Sequence, residues 1–461
     1  MIDTKIQEAS SGTCGTAPTI RGLSNLPQPI SSRVFVTFFS LPGLQMFLKL
    51  FFLYLFIGWA VCTQAQQNGS IVIGNIDSIQ SPILKEQRKI WIHMPASAHN
   101  GAKKKYPVVY LLDAESNFTS VVGMIDLLSS IHGNHVCPEM IVIGIPNTNR
   151  TRDLTPTRVT QGLWIDSNMA VNSGGGEKFM AFIEKELMPH IDSLYPAGRY
   201  RMLIGHSMGG LTVINTLFHH RGLFSSYVAI DPSMWWDNQK LLHETEQYLR
   251  AGSYAGTALY LAMANTLPEG MDTVTVQRDT SSGTIHPRSI LQLSRYITIA
   301  ASQSDLEAAW KYYNGDDHGT VPLIATYDAL HCIFKDYPLT FKETFINDSS
   351  FKLAAYLQGY YEKISSKYGV TSADGHTLLP AEDWINNLGY YVLSKKQLRK
   401  AEELFELNVK NYPNSAPVYT ALGDLYAARN DNSNAKANYK KSLALKETAE
   451  TKQKLEKLRG K

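Results

Sequence analysis

Residues 201–218, "RMLIGHSMGGLTVINTLF", run from an apolar strand into a glycine-flanked serine and on into an apolar helical period. Gly205-His206-Ser207-Met208-Gly209 is a G-x-S-x-G motif at a strand-to-helix junction. There it predicts a sharp turn that holds the serine hydroxyl clear of the sheet, with glycines leaving room for the strained backbone. The helix N-terminus behind it offers free N–H groups to a developing oxyanion. Without strand and helix, the same letters would describe a glycine-rich bend with a buried serine.

Working outward, seven runs read as strands: 88–95, 106–113, 139–146, 201–206, 226–232, 257–264 and 308–315. The central ones are continuously apolar, as strands buried on both faces should be. Helical periods fall between them at 176–194, 208–218, 241–249 and 287–299. This alternation predicts a mostly parallel, doubly wound sheet with helices on both faces.

The 461 residues exceed one average domain, and the apolar (44%) and charged (18%) fractions are those of a globular chain. A formal charge of +3 gives no basic stripe, so no nucleic-acid partner is expected. Residues 1–45 are rich in Ser, Thr, Pro and Gly. They precede "MFLKLFFLYLFIGWAVCTQAQQNGS" (46–70), which has the parts of a secretory signal. The expectation is a true start at Met46, cleavage after Ala65, and an exported protein, periplasmic or extracellular. The apolar run falls short of the roughly 20 residues of a membrane span, so membrane attachment follows only if the signal stays uncleaved. Cys137 and Cys332 would then be the remaining cysteines, too few for a disulfide scaffold or a thiolate zinc site.

After about Tyr337 the strand runs cease, and 366–380 reads as a loop. Leu388-Gly389 then recurs as Leu422-Gly423, Ala401 as Ala435 and Phe405 as Tyr439, each at an offset of 34. The period and its Gly, Ala and aromatic slots resemble two tetratricopeptide units. Two units rarely stand alone, so they are expected to lean on a helix at 351–363 or on the preceding domain. The domains expected are a leader (1–65), an α/β domain (66–345), a helix and linker (346–380), and an all-α helical-repeat domain (381–461).

A serine nucleophile needs a base, and around such an elbow the partners follow in the order serine, acid, histidine. His318, in "NGDDHGT" after the last strand, is the chosen base. His331 lies in an apolar helical period, and His286, before Pro287, reads as a cap or surface residue. The acid is expected after strand 257–264, where Asn265, Thr266 and Leu267 offer none. Asp272 is the chosen acid, with Glu269 behind it and an acid-free Ser–His pair as the alternative. The oxyanion donors expected are the backbone N–H of Met208 and that of Ala114 or Glu115. Trp235 and Trp236 follow a strand at the carboxyl edge of the sheet and are the candidate substrate wall, with simple packing as the alternative. Arg150, Arg152 and Asp153 read as ion pairs bracing a long loop, with a clamp for a charged substrate as the alternative. No metal-ligand spacing occurs, and neither metal nor cofactor is expected.

"YPVVYLLDAESNF" (106–118), "IVIGIPNTNRTRDLTPT" (141–157), "GHSMGG" (205–210), "AIDPSMWWDN" (229–238) and "DDHGTVPLIATYDALHCIF" (316–334) together resemble the esterase family of α/β-hydrolases. That family includes enterobactin-type siderophore esterases, feruloyl and acetylxylan esterases, and S-formylglutathione hydrolase. The likeness spans roughly 71–337 and, through "HGTVP" (318–322), is nearest the siderophore-esterase-like branch. It implies an α/β-hydrolase fold, Ser207 as nucleophile, His318 as base, and a weak or missing acid. Ala114 stands where the family usually has glycine.

The function expected is an exported serine esterase acting on a small-molecule or glycan ester through an acyl-enzyme, with a possible protein partner on the repeats. An acyltransferase on the same fold, or a non-catalytic scaffold using the repeats, are the alternatives.

Overall fold

The computed structural model describes residues 71–459 apart from 100, 102 and 163, so the expected leader and signal lie outside the described residues. Eight strands form one sheet: β1 (Asn75–Ser81), β2 (Glu86–His93), β3 (Lys104–Leu112), β4 (Ile141–Ile145), β5 (Ala197–His206), β6 (Ser226–Ile230), β7 (Ala258–Ala264) and β8 (Glu307–Tyr313). Their order is β1-β2-β4-β3-β5-β6-β7-β8. From β4 to β8 every pairing is parallel, while β1 and β2 run antiparallel at one edge. All seven strands expected from the sequence are present. β1 had escaped because its edge position leaves most of its residues exposed, with no apolar run to read.

The strands bury side chains on both faces with period two. Tyr227 and Ala229 of β6 point into one core and Val228 and Ile230 into the other; β7 divides in the same way. One core is closed by the helical stretch Gly176–Phe182, Ile183–Leu187 (a π turn) and Met188–Leu194, and by α3 (Met208–His219), α4 (Trp236–Ala251) and α5 (Ile285–Gln303). The other is closed by α1 (Ala114–Ser129), α6 (Val321–Ile333) and α7 (Leu353–Tyr368). α2 (Arg150–Leu154) is a short turn after β4.

The region beyond is all-α: α8 (Glu382–Ser394), α9 (Leu398–Asn411), α10 (Ala416–Ala428), α11 (Asn432–Leu445) and α12 (Ala449–Arg459). Its small-residue slots have a plain steric cause. A Cβ on Gly423 would meet Tyr439 Cε1 at 2.5 Å, and one on Gly389 would run into the ring of Phe405. α7 belongs to both regions: Leu353 and Leu357 pack into the helical core, Ile364 and Tyr368 against the sheet. The buried Lys400 ammonium donates to the carbonyls of Phe345, Ile346 and Asp348, tying α9 to the segment before α7. The stretch expected as a free loop contains β9 (Thr371–Ser372), which pairs with β3.

Candidate active site

Ser207 links β5 to α3 with φ 59° and ψ −115°, backbone angles that non-glycine residues rarely adopt. Its N–H donates to Ile230 O at 2.9 Å, and its carbonyl accepts from Leu211 N and Ser233 N, both at 3.0 Å. The three glycines serve three separate contacts. A Cβ at Gly205 would strike the Gly209 backbone, one at Gly210 would come within 2.9 Å of Pro232 Cα, and one at Gly209 within 3.2 Å of Asp113 Oδ2. The serine hydroxyl lies 3.3 Å from Ser233 Oγ and is partly exposed.

Asp113 carries the second strand-to-helix turn, with φ 52° and ψ 48° before α1. Its carboxylate is nearly buried and accepts two bonds from Arg150, Nε at 2.7 Å and Nη2 at 2.9 Å, and one from Asn147 Nδ2 at 2.7 Å. Arg150 Nη2 also reaches His206 O at 3.4 Å. This pair therefore joins the loop after β3 to the elbow. Met208 and Ala114 are the first residues of α3 and α1, where backbone N–H groups have no acceptor within the helix. Arg152 is held by Glu86 and Asp153, and Asp153 also takes the buried Arg88 at 2.6 Å.

The histidine and its carboxylate come from elsewhere. His318 Nδ1 lies 2.6 Å from Asp231 Oδ2, and its ring stands 4.4 Å from that of His206, the residue before the serine. Asp231 closes β6 with its side chain fully buried; Oδ1 accepts Ala264 N–H at 2.9 Å, and Oδ2 accepts His286 Nε2 at 2.9 Å as well as His318. Burial pushes the Asp231 carboxyl up, but the hydrogen bonds from His286 and His318 outweigh it and hold the group well below the usual carboxylate range. His206 is depressed to about 4, by burial first and then by the neighbouring charge of His318.

Asp272, the acid chosen from the sequence, is not at this site. It is exposed, and its carboxylate is taken up by Val274 N–H, Thr275 N–H and the Thr275 hydroxyl in its own turn. Those same bonds hold its pKa below the ordinary value. Glu269 is likewise exposed. His286, read as a cap or surface residue, faces the Asp231 carboxylate instead. Trp236 is buried, and its indole N–H lies 3.1 Å from Thr157 Oγ1, which makes it a packing residue rather than a wall. Trp235 stacks edge-on against exposed Trp164 at 5.1 Å and 89°. His331 sits on α6 with Nδ1 on Tyr327 O. Cys137 and Cys332 are free thiols.

Of the two residues that sequence reasoning missed, one had a readable signal. Asp231 is a lone carboxylate at the end of a fully buried strand beside the Ser207 strand, inside "AIDPSMWWDN". His286 had none, because its distance from Asp231 in sequence is 55 residues.

The family model described as "Putative esterase" matches residues 81–268. Ferri-bacillibactin esterase BesA of Bacillus subtilis is 30% identical over 154 residues, 31% of this chain and 53% of its own length. The crystal structure of an IroE-like serine hydrolase from Shewanella oneidensis aligns at 30% identity and a TM-score of 0.58, over 73% of this chain and 98% of that one. A structure from Capnocytophaga ochracea aligns at 18% identity and a TM-score of 0.60, over 84% of this chain and all of its own, a likeness of fold alone. The chain spans about half the length of the curated relatives it matches.

Proposed function

The chain belongs to the esterase family, and on that premise we propose that it is an exported serine hydrolase cleaving carboxylic esters through a Ser207–His318–Asp231 triad. The observation that carries the reading is the 2.6 Å bond from His318 Nδ1 to a buried, ionised Asp231, with the imidazole lying beside the elbow that presents Ser207. That bond fixes the tautomer, since a carboxylate only accepts. Nε2 of His318 is therefore the unprotonated nitrogen and takes the Ser207 proton as Oγ attacks the ester carbonyl. Charge developing on the carbonyl oxygen falls to the N–H groups of Met208 and Ala114. His318 then protonates the departing alcohol, and water repeats the sequence to free the acid. Asp231, held ionised, stabilises the imidazolium formed in both halves. No step needs a cofactor.

The substrate proposed is an ester of the siderophore class, because three of the matching relatives are named for such esters. Trp164 and Trp235 would supply an aromatic wall for an aryl acyl group. The helices α8–α12 would serve as tetratricopeptide-type repeats for a protein partner, and the leader would carry the chain out of the cytoplasm.

The test is hydrolysis of an aryl acetate and of a catecholate trilactone by the purified protein, with Ser207→Ala and His318→Ala alongside. Turnover that falls by about 10³-fold or more in both variants, with an acyl-enzyme on Ser207 in the mass spectrum, is the expected result. Undiminished turnover by Ser207→Ala would sink the reading.

A further inference from the structure

Asp231 serves two imidazoles, not one. Oδ2 lies 2.6 Å from His318 Nδ1 and 2.9 Å from His286 Nε2, while Oδ1 takes the Ala264 N–H at 2.9 Å. Both nitrogens facing Oδ2 must carry protons, because an ionised carboxylate has only lone pairs to offer.

The two histidines differ in what their second nitrogen meets. The His318 side chain is 43% exposed, and in the proposed triad its Nε2 is the nitrogen left for the serine. The His286 side chain is 11% exposed, and its Nδ1 is buried with no hydrogen-bond partner. A proton there would be a buried donor without an acceptor, placed in the first turn of α5 where the helix end is itself positive. His286 thus presents Nε2–H to Asp231 as a donor, with no partner for its other nitrogen.

We propose that His286 is a positioning residue for the triad, acting through Asp231 and touching neither serine nor substrate. The inference rests on the Ser207–His318–Asp231 reading above. A carboxylate at the end of a strand can swing about its last torsion, and Ala264 restrains only one of its oxygens. The second imidazole fixes the other, so that Oδ2 is already aimed at His318 Nδ1 before substrate arrives. Orientation established in advance lowers the barrier of the chemical step and leaves ground-state binding alone, so the effect belongs in kcat.

The decisive comparison is His286→Gln against His286→Leu in the full chain. The two side chains are similar in size, and only glutamine can present an N–H to Asp231. Both are assayed on an aryl acetate, and rates are expressed per serine labelled by a fluorophosphonate probe, which corrects for misfolded protein. His286→Leu is expected to lose on the order of tenfold in kcat with KM within about twofold, and His286→Gln to recover most of that loss. Equal kcat values for the two variants, at equal labelling, would overturn the proposal. So would a loss as deep as that of Ser207→Ala, which would make His286 a base. Activity lost on dialysis against a chelator and restored by zinc would also overturn it, since the three donor atoms lie within 4.8 Å of one another and would then be metal ligands. If the wild-type protein itself takes no label, the serine reading fails first and is identified as the failure.

Discussion

In Asp231→Asn the side chain keeps its shape but exchanges one acceptor oxygen for an NH2 donor. Neither orientation of the amide fits the site. With the oxygen toward the two imidazoles, the NH2 group faces the Ala264 N–H, which now lies 2.9 Å from Oδ1. With the NH2 group toward the imidazoles, it opposes two N–H donors, at 2.6 Å and 2.9 Å. Relief in the second case requires His318 to move its proton from Nδ1 to Nε2, which removes the base from Ser207. An isosteric change of this kind on a triad carboxylate costs about 10⁴-fold in kcat through the wrong tautomer, and a loss of about 10³- to 10⁴-fold is expected here. The buried donor–donor conflict should also destabilise the fold by about 1–3 kcal/mol. The assay is kcat for an aryl acetate together with thermal melting, with Asp272→Asn in parallel. Asp272 bonds only its own exposed turn, so Asp272→Asn should keep wild-type kcat. Full activity in Asp231→Asn, or a large loss in Asp272→Asn, would refute the assignment of the acid.

His206, held near 4 when folded against an ordinary 6.5, binds its proton more readily in the unfolded chain, so its contribution to stability is complete above pH 6.5 and lost as the pH falls toward 4. About 3 kcal/mol rides on that window, and His206→Phe should flatten the melting curve against pH there; an unchanged slope would count against it. Arg150→Ala removes both bonds to Asp113 that brace the oxyanion loop, and kcat should fall roughly tenfold in steady-state assays with Ser207 labelling intact. Trp164→Ala should lower kcat/KM for aryl acyl esters roughly tenfold relative to alkyl ones, and an equal effect on both would remove Trp164 from the acyl wall. Gly423→Ala drives a methyl into Tyr439 and should destabilise the helical region by about 1–3 kcal/mol in denaturant titration, leaving kcat as it was.

What the sequence displayed was whatever is written locally. The buried strands are continuous apolar runs, and the elbow is a strand, three glycines and a helix in succession. The helical period of 34 shows in Gly389 and Gly423, because each glycine faces a ring of the paired helix. What it concealed depends on pairings over long separations. Asp231 meets His318 across 87 residues and His286 across 55. The choice of Asp272 followed the rule that the acid closes the strand after the one beyond the nucleophile strand. Here the carboxylate sits one strand earlier. Trp236 misled for the opposite reason: its neighbour Trp235 does reach an exposed partner, while its own indole turns inward to Thr157.

The displaced acid is intelligible from the register of the sheet. His206 of β5 lies opposite Ile230 of β6 in a parallel ladder, and Ser207 N–H bonds Ile230 O. Ser207 is positioned directly by the β5–β6 ladder, and Asp231 follows the last residue of β6, so their separation is fixed by backbone hydrogen bonds rather than by a loop. A carboxylate after β7 would have needed a loop to carry it back across β6. The position after β7 has a different task instead. Asn265 donates its N–H to Asp316 O at 2.8 Å and its side-chain amide to Asn314 O at 2.9 Å, gripping the loop that bears His318. The loop is braced again from within, where Asp317 accepts from Gly319 and Thr320 N–H. His318 is thus the one member of the proposed triad on a loop, and that loop is anchored by the residue standing where the acid was expected. The missing carboxylate after β7 therefore goes with a site in which strand ends hold Ser207 and Asp231, and the Asn265 amide holds the loop that brings His318 to Asp231.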